Sequence, residues 1–536
     1  MASSASTPKD LPTAMIDVAT SVSDWVVVWP IALPLFGAAL LIMMRSRTEW
    51  QAPFAFIILL ATLLSNISLL ARTYADGPLT MTMGNWLPPF GISFTADTLG
   101  AAFALVSTIV MIVVLFYVQS DLENRENKYG YHPLMLLLLA GISGGFLTGD
   151  LFNLYVWFEV MLIATFGLMV IGGRKIQLDA AVKYGFLNFL ATTFFLIAMA
   201  YLYGLVGTLN MADIARKTPL VENTAIISVT ALFFLAFAMK AAAFPLNSWL
   251  PASYHAPDPA ASALFAGILT KVGVYALLRV HLMLIPATLD DIQMVILVIA
   301  VLTMVLSPLG ALAQTNIRRA LGFFVMGGVG AMLAGLAMGT RSGVAGASLY
   351  AMHSMLTMTA LYLTVGLIER IGGTSDIRKL GGLYKASSPL SIMFLVLVFA
   401  VAGLPPFLGF WPKLVLVQSG ISISFGEQPL APYQWWLIGA LLVNSFLTSI
   451  AGSRIWAHVF WRNGREGKQS EVPNDQLTKL DKRSFRFAML PTMALVAGIV
   501  VVGLWPAGFI EAGVRAAHGL TVGQGFYIES VFGEKK

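Results

Sequence analysis

The sequence predicts an all-α polytopic membrane protein, and three observations carry that expectation. Hydrophobic residues fill 57% of the 536 positions and charged residues only 11%, against about 25% charged in soluble domains. Mean hydropathy over the whole chain is +0.79. Apolar runs of spanning length, roughly 20 residues each, recur along the entire chain with no soluble domain between them.

About fourteen such runs can be marked out on length and polarity. They fall near 26–44, 52–72, 97–118, 132–148, 151–171, 180–204, 224–246, 260–283, 291–313, 319–339, 343–369, 390–417, 434–461 and 486–506. Asp97 and Asp150 stand at the starts of the third and fifth runs, where a carboxylate caps the free N–H groups of a helix. Gly322, Gly327, Gly328 and Gly330 lie inside the tenth run, where close helix packing explains them better than phosphate binding. The residues from Pro506 to Lys536 mix apolar and charged side chains, which suits a segment lying along the outer surface or an unstructured terminus.

Basic residues alternate between loops. Arg45 and Arg47, Arg125 and Lys128, Arg174 and Lys175, Arg318 and Arg319, Arg370 through Lys385, and Arg462 through Arg483 follow odd-numbered runs, while even loops hold chiefly Arg72, Arg216, Lys217 and Arg341. Positive charge stays on the cytoplasmic side, so odd loops are expected there and both termini outside. Arg318 and Arg319 are read as topology charges. The polar stretch 462–485 is then a cytoplasmic loop, too short to bury a core. The first 24 residues include Lys9, Asp10, Asp17 and Asp24 and lack an apolar core, so no cleavable signal peptide is expected.

Several functions are excluded. With no cysteine in the chain, disulfides, thiolate metal sites and iron–sulfur ligation fall away. No Walker motif, dinucleotide-binding glycine fingerprint or metal-ligand spacing occurs. The chain is expected to bind no cofactor or metal, to pair with no nucleic acid and to catalyse no covalent chemistry. The formal charge of +6 is sorted by topology and points to no partner.

Two runs are broken. The seventh carries Lys240, then Pro245 and Trp249-Leu250-Pro251; the twelfth carries Pro405-Pro406, then Trp411-Pro412-Lys413. A proline in a span frees a backbone carbonyl that lipid cannot satisfy. An ammonium at membrane depth costs about 3 kcal/mol or more. The breaks lie five runs apart, so they cross in opposite senses, as inverted five-helix repeats over 132–283 and 291–461 would. Paired broken helices point to a transport path.

The remaining candidates are ionisable groups in apolar surroundings. Glu159 follows Tyr155-Val-Trp-Phe158 in the fifth run, about 12 Å from its start, and intramembrane carboxylates default to proton or ion paths; a structural ion pair is the plainer reading. Lys271 sits mid-way along the eighth run, too deep to snorkel, beside the seventh run's Lys240; permanent pairing to a carboxylate is the alternative. Lys413 either snorkels to the interface or ends a proton path. His255, with Asp258 in a polar hairpin, titrates in a range suited to shuttling protons, although a solvated loop histidine is equally consistent. His353 lies inside the eleventh run, which favours a relay over the alternative of a satisfied core histidine.

The run Lys240-Ala-Ala-Ala-Phe-Pro245-Leu-Asn-Ser-Trp-Leu-Pro251, with His255-Ala-Pro-Asp-Pro-Ala-Ala-Ser262 and Gly267-Ile-Leu-Thr-Lys271-Val-Gly273, resembles the antiporter-like subunits shared by respiratory complex I and Mrp antiporters. Leu380-Gly-Gly-Leu-Tyr384, Gly403-Leu-Pro-Pro-Phe-Leu-Gly-Phe-Trp-Pro-Lys413, Ala96-Asp97-Thr-Leu-Gly-Ala and Phe158-Glu159 are similar to further signatures of that family, and together they cover roughly 90–460. The resemblance implies fourteen core helices, two inverted repeats and a central polar axis. It implies that Glu159 pairs with Lys240, that Lys271 continues the axis, and that Lys413 ends it. Complex I subunits commonly carry a His-His pair and a lysine on the eleventh helix, whereas this chain reads His353-Ser-Met-Leu-Thr357-Met358-Thr359. The Ser-His-Gly element of the tenth helix is replaced by Met326-Gly327-Gly328.

Among the branches, the chain is most similar to the D-type members of Mrp (Pha-type) multisubunit Na⁺(K⁺)/H⁺ antiporters. That implies a bacterial cytoplasmic membrane, partner subunits of the same complex, protons and monovalent cations as cargo, and a part in pH homeostasis. The alternative is a proton-pumping subunit of complex I or a membrane-bound hydrogenase; a third reading is a scaffold whose buried charges are dispensable.

Overall fold

The computed structural model describes residues 22–120, 122, 124–422, 433–464 and 482–532. The N-terminal stretch 1–21 and most of the expected cytoplasmic loop, 465–481, lie outside the described residues. The long helices are α1 (Trp29–Met43), α2 (Thr48–Asp76), α3 (Thr98–Val118), α4 (Tyr131–Leu147), α5 (Leu151–Val170), α6 (Lys175–Val206) and α7 (Asn223–Ala241). They continue as α8 (Pro259–Leu284), α9 (Leu289–Ala313), α10 (Ile317–Met338), α11 (Arg341–Gly372), α12 (Ser388–Ala402), α13 (Phe410–Ser422), α14 (Tyr433–Trp456) and α15 (Lys482–Leu504).

Among the described residues, eleven helices are long and apolar enough to cross a membrane, and α1, α4 and α12 are shorter apolar helices. Burial sorts them into layers. The apolar stretches of α8, α10 and α11 are each 94% buried, against 28% for α2 and 33% for α15, so the first three form the centre and the others the lipid-facing periphery. The expected caps are present: Asp97 accepts from Gly100 N and Asp150 from Asn153 N, both at 2.8 Å. The glycines of α10 give close packing. A side chain at Gly330 would stand 2.8 Å from Met304 N and 3.0 Å from Ala300 O on α9.

One feature departs from the sequence expectation, and another decides between its alternatives. A two-stranded antiparallel sheet, β1 (Leu79–Thr82) and β2 (Ser93–Ala96), stands between α2 and α3. The C-terminal residues fold as α16 (Ala507–Thr521) and α17 (Gln524–Phe532). Ala516, Ala517 and Leu520 of α16 are buried, and Gly513 packs on Leu349 of α11. A buried apolar face settles this tail as packed helix rather than an unstructured terminus.

The loops gather on two faces. On one, Arg174 pairs with Asp258 at 2.9 Å, Arg318 pairs with Glu369 at 2.8 Å and Arg370 donates to Ser120 Oγ at 2.8 Å. The other holds the sheet, α16 and α17. Among the described residues, a matching backbone stitch stands on each face. Leu151 N donates to Leu209 O and Met211 N to Gly149 O, flanking the bridge Asp150–Asn210 on the sheet's face. Ile317 N donates to Ser375 O and Ile377 N to Thr315 O, flanking the bridge Asn316–Asp376 on the arginine face. Every residue of the second stitch lies 166 positions after its counterpart in the first.

Candidate ion path

The first break is built from a helix end that carries its own lysine. α7 stops at Ala241 because Ala242 turns left-handed, with φ 61°. Ala243 N closes back on Ala238 O at 2.9 Å. Side chains take the next groups: Phe244 N donates to Thr303 Oγ1 at 3.1 Å, and Trp249 Nε1 donates to Met239 O at 3.1 Å. Lys240, buried, places its ammonium 4.5 Å from the centre of the Phe158 ring. A cavity of about 20 Å³ beside it is walled by Phe158, Tyr184, Asn188 and Trp249, room for about one water.

Glu159 is half-buried on α5, near enough for its charge to act on Lys240 and Tyr184. Among the described residues no ion pair joins Glu159 to Lys240. The ammonium rests on Phe158 instead, so the pairing implied by the resemblance is open in this structure.

Lys271 lies on α8, which crosses the broken end of α7 closely. A side chain at Gly273 would sit 2.8 Å from Ala241 N and 3.1 Å from Lys240 C. The two lysines therefore share one interior, as their positions on consecutive spans suggested. A π-helical turn over Phe265–Leu269 precedes Lys271. Such turns shift the hydrogen-bond register and leave carbonyls available, and Lys271 Nζ donates to Ala266 O at 2.7 Å. One turn earlier, Gly267 packs so tightly on α11 that a side chain there would meet Thr359 Oγ1 at 2.2 Å.

α11 carries the path on to the second break. His353 is buried, its Nδ1 3.1 Å from Thr357 Oγ1, and the charges of both Lys271 and Lys413 reach it. Gly409, in the break, packs against it: a side chain would stand 1.8 Å from Ala400 O and 2.8 Å from His353 Nε2. α12 ends at Ala402, with Gly403 left-handed at φ 81°. Lys413 reaches back across the gap, donating to Ala402 O at 2.8 Å, Val401 O at 3.3 Å and Ser445 Oγ at 2.7 Å. It is 5% exposed and does not snorkel. The prolines Pro245, Pro251, Pro405 and Pro406 lie in or beside the two gaps, and the Phe244–Pro245 and Pro405–Pro406 bonds are cis.

His255 stands apart from these lysines, on the arginine face. Its Nδ1 is 3.1 Å from Pro251 O and its Nε2 3.2 Å from Arg319. Burial first, then the charges of Arg319 and Arg318, push the imidazole down to about 4 against the opposing hydrogen bond that the ring donates to Pro251 O. The ring is therefore neutral near pH 7. Arg318 also donates to Pro257 O. Beyond any topological role, Arg318 and Arg319 pin the polar hairpin against α10.

Sequence reasoning missed one buried cluster. Arg279, 1% exposed, pairs with Asp97 at 2.7 Å and donates to Tyr275 Oη at 2.8 Å. The signal was available: Lys271, Tyr275 and Arg279 recur every four residues, one polar stripe on a helix.

An all-helical bundle with two interrupted helices and a line of buried lysines between them defines an ion-translocating membrane protein as its class. Its similarity to known proteins narrows the class. The family described as NADH:quinone oxidoreductase/Mrp antiporter, TM, matches residues 148–448. The D-type Na(+)/H(+) antiporter subunit of Alkalihalophilus pseudofirmus is 36% identical over 95% of this chain and 99% of its own length. A chain of the Mrp complex from Dietzia sp. DQ12-45-1b superposes with a TM-score of 0.86 at 27% identity, over 96% of this chain and 100% of that one. A chain of respiratory complex I from Thermus thermophilus gives 0.77 at 22%, over 95% and 100%, a likeness of fold. The protein belongs to the NADH:quinone oxidoreductase/Mrp antiporter membrane family, and it is a multi-pass membrane protein.

Proposed function

We propose that this chain is the ion-translocating subunit of a hetero-oligomeric Mrp-type monovalent cation/proton antiporter, and that it supplies the proton path. One observation carries the reading. Lys240, Lys271 and Lys413 are buried in one interior, and among the described residues none is ion-paired; their partners are a ring, carbonyls and a hydroxyl. Buried charges serving structure alone are normally paired. Unpaired lysines in series suit groups that gain and lose protons in turn.

In this reading Glu159 and Lys240 form a switch that closes when the ammonium leaves Phe158. Lys271 takes the next position, His353 bridges α8 and the second break, and Lys413 ends the line. His255 joins as a gate on the hairpin. The chain crosses the membrane fourteen times, with α1, α4 and the α12–α13 pair among the passes and the arginine face cytoplasmic. Inverted repeats over 132–283 and 291–461 are supported by the matched stitches on opposite faces and by the two breaks. The expected setting is the bacterial cytoplasmic membrane with other Mrp subunits, as the names of its relatives suggest.

The test uses the whole complex in everted vesicles, with ΔpH dissipation on adding Na⁺ or K⁺ as readout. Glu159→Ala and Lys240→Ala should each abolish exchange while the complex still assembles. Wild-type exchange by an assembled Glu159→Ala complex overturns the reading. The complex I likeness sets the second reading, a redox-driven pump subunit; copurification with flavin or iron–sulfur subunits would favour it.

A further inference from the structure

The buried Asp97–Arg279 pair takes no part in the path from Lys240 to Lys413. Burying both charges is a weak source of stability, since apolar side chains of similar volume often do as well or better. Its surroundings suggest another use. Lys271, Tyr275 and Arg279 occupy one stripe of α8, and each is at most 1% exposed. The stretch Thr270–Arg279 is bracketed by π-helical turns over Phe265–Leu269 and Val280–Leu284. Tyr275 lies about 6 Å along the helix from Lys271. Its hydroxyl donates to Phe146 O at 2.7 Å and accepts from Arg279 at 2.8 Å. Arg279 hands the line to Asp97 Oδ2 at 2.7 Å.

Asp97 faces two ways. Its inner side holds Arg279, and its outer side helps wall a vestibule of about 440 Å³, together with Tyr74, Asp76, Arg341, Arg515 and His518. The vestibule lies on the face of α16 and α17. Tyr527 of α17 stacks on the Arg279 guanidinium, 5.3 Å from ring centre to Cζ. The stripe thus runs from the central lysine to within one ion pair of a space large enough for water.

We propose that Lys271, Tyr275, Arg279 and Asp97 form a second limb of the path, joining Lys271 to this vestibule, with the Arg279–Asp97 pair as its gate. The inference rests on the transport reading of Lys271. A guanidinium stays charged at any working pH, and a fixed positive charge in a narrow passage excludes cations, hydronium included. Held by Asp97, Arg279 closes the limb; the limb conducts when the pair parts and the guanidinium moves aside. Lys271 is now turned toward Ala266 O, away from Tyr275. This is the position a closed limb requires. Arg279 and Asp97 are positioning residues: they govern access to Lys271 and carry no proton themselves.

The cysteine-free chain allows a direct test in the assembled complex. Lys271→Cys provides a thiol, and Ag⁺, a small thiol-reactive cation, is added from the vestibule face. With the gate intact the reaction should be slow. In Asp97→Asn/Arg279→Gln, which removes both charges, it should quicken at least about 10-fold, the mark of a lost electrostatic barrier. The same pair of substitutions with Lys271 restored should make vesicles lose an imposed pH gradient several-fold faster. Arg279→Lys keeps the positive charge and should stay slow, which guards against a fold defect in the neutral pair. An unchanged Ag⁺ rate in the assembled neutral variant, or a fast rate with the native pair or Arg279→Lys, overturns the gate. Cation/proton exchange is scored separately. Retained exchange in Lys271→Cys would sink the transport reading while leaving the accessibility measurement intact.

Discussion

The two broken helices solve the same problem in opposite ways. At the first, the lysine precedes the gap: Lys240 is two residues before the left-handed Ala242, and the freed backbone is held by Thr303 and Trp249. Its ammonium is left on an aromatic face, with no hydrogen-bond acceptor among the described residues. At the second, the lysine follows the gap. Lys413 returns to the carbonyls of Val401 and Ala402, and Val401 stands two residues before the left-handed Gly403, the place Lys240 holds at the first break. One lysine is released from the job of satisfying backbone; the other performs it. The first break is thus built for a mobile charge and the second for an anchored one.

The largest expected difference separates the lysines themselves. Lys240→Ala should bring exchange to background and barely change the melting temperature of the complex. Lys413→Met should also stop exchange but lower the melting temperature by several degrees, because each carbonyl left without a donor costs about 1–3 kcal/mol. Equal thermal shifts from the two variants would break the comparison. Next in size, Gly403→Ala forces an L side chain into a left-handed turn, about 1–2 kcal/mol. Its Cβ would also stand 2.5 Å from Lys413 Cδ, so thermal stability and exchange should fall together. A variant with native values of both would mean that Lys413 needs no fixed seat.

Acid should separate the breaks further. The hairpin after the first break contains His255, held at about 4 in the fold against an ordinary 6.5. The unfolded chain therefore takes up the proton first. The hairpin's stability is whole above pH 6.5 and declines as pH falls toward 4. Hydrogen–deuterium exchange over 253–258 should quicken across that window, and His255→Gln should flatten the response. The smallest effect is expected at Ala242. Ala242→Gly removes about 1 kcal/mol of left-handed strain, offset in part by the greater freedom of unfolded glycine; a rise of a degree or two in melting temperature would show it.

Much of this was legible because single residues broke local rules. A lysine in an apolar run, a proline in a span and an aspartate at a helix start each violate or complete a local pattern, and Lys240, Lys413, Pro245, Pro405, Asp97 and Asp150 were found that way. What stayed hidden depended on distant partners. Arg279 meets Asp97 across 182 positions, and nothing in either neighbourhood announces the other. Arg318 and Arg319 looked like topology charges because their second role needs a hairpin some 60 residues earlier in the chain. β1 and β2 are four residues each, too short for a periodic signal to stand out beside fourteen apolar runs. The open contact between Glu159 and Lys240 is a matter of side-chain placement, which motifs do not encode.

The two stitches have a consequence for how freely this sequence can drift. Each is closed by main-chain N–H and C=O groups, so no side-chain replacement short of proline deletes a bond. The joints that fix loop to loop on the two faces are therefore insulated from most substitutions, and helix faces around them can diverge without unfastening them. The 166-residue correspondence between the two stitches is thus held in the backbone rather than in side chains. It also offers engineers a rule: grafts that exchange whole helices should cut outside 149–151, 209–211, 315–317 and 375–377, leaving the fasteners in one piece.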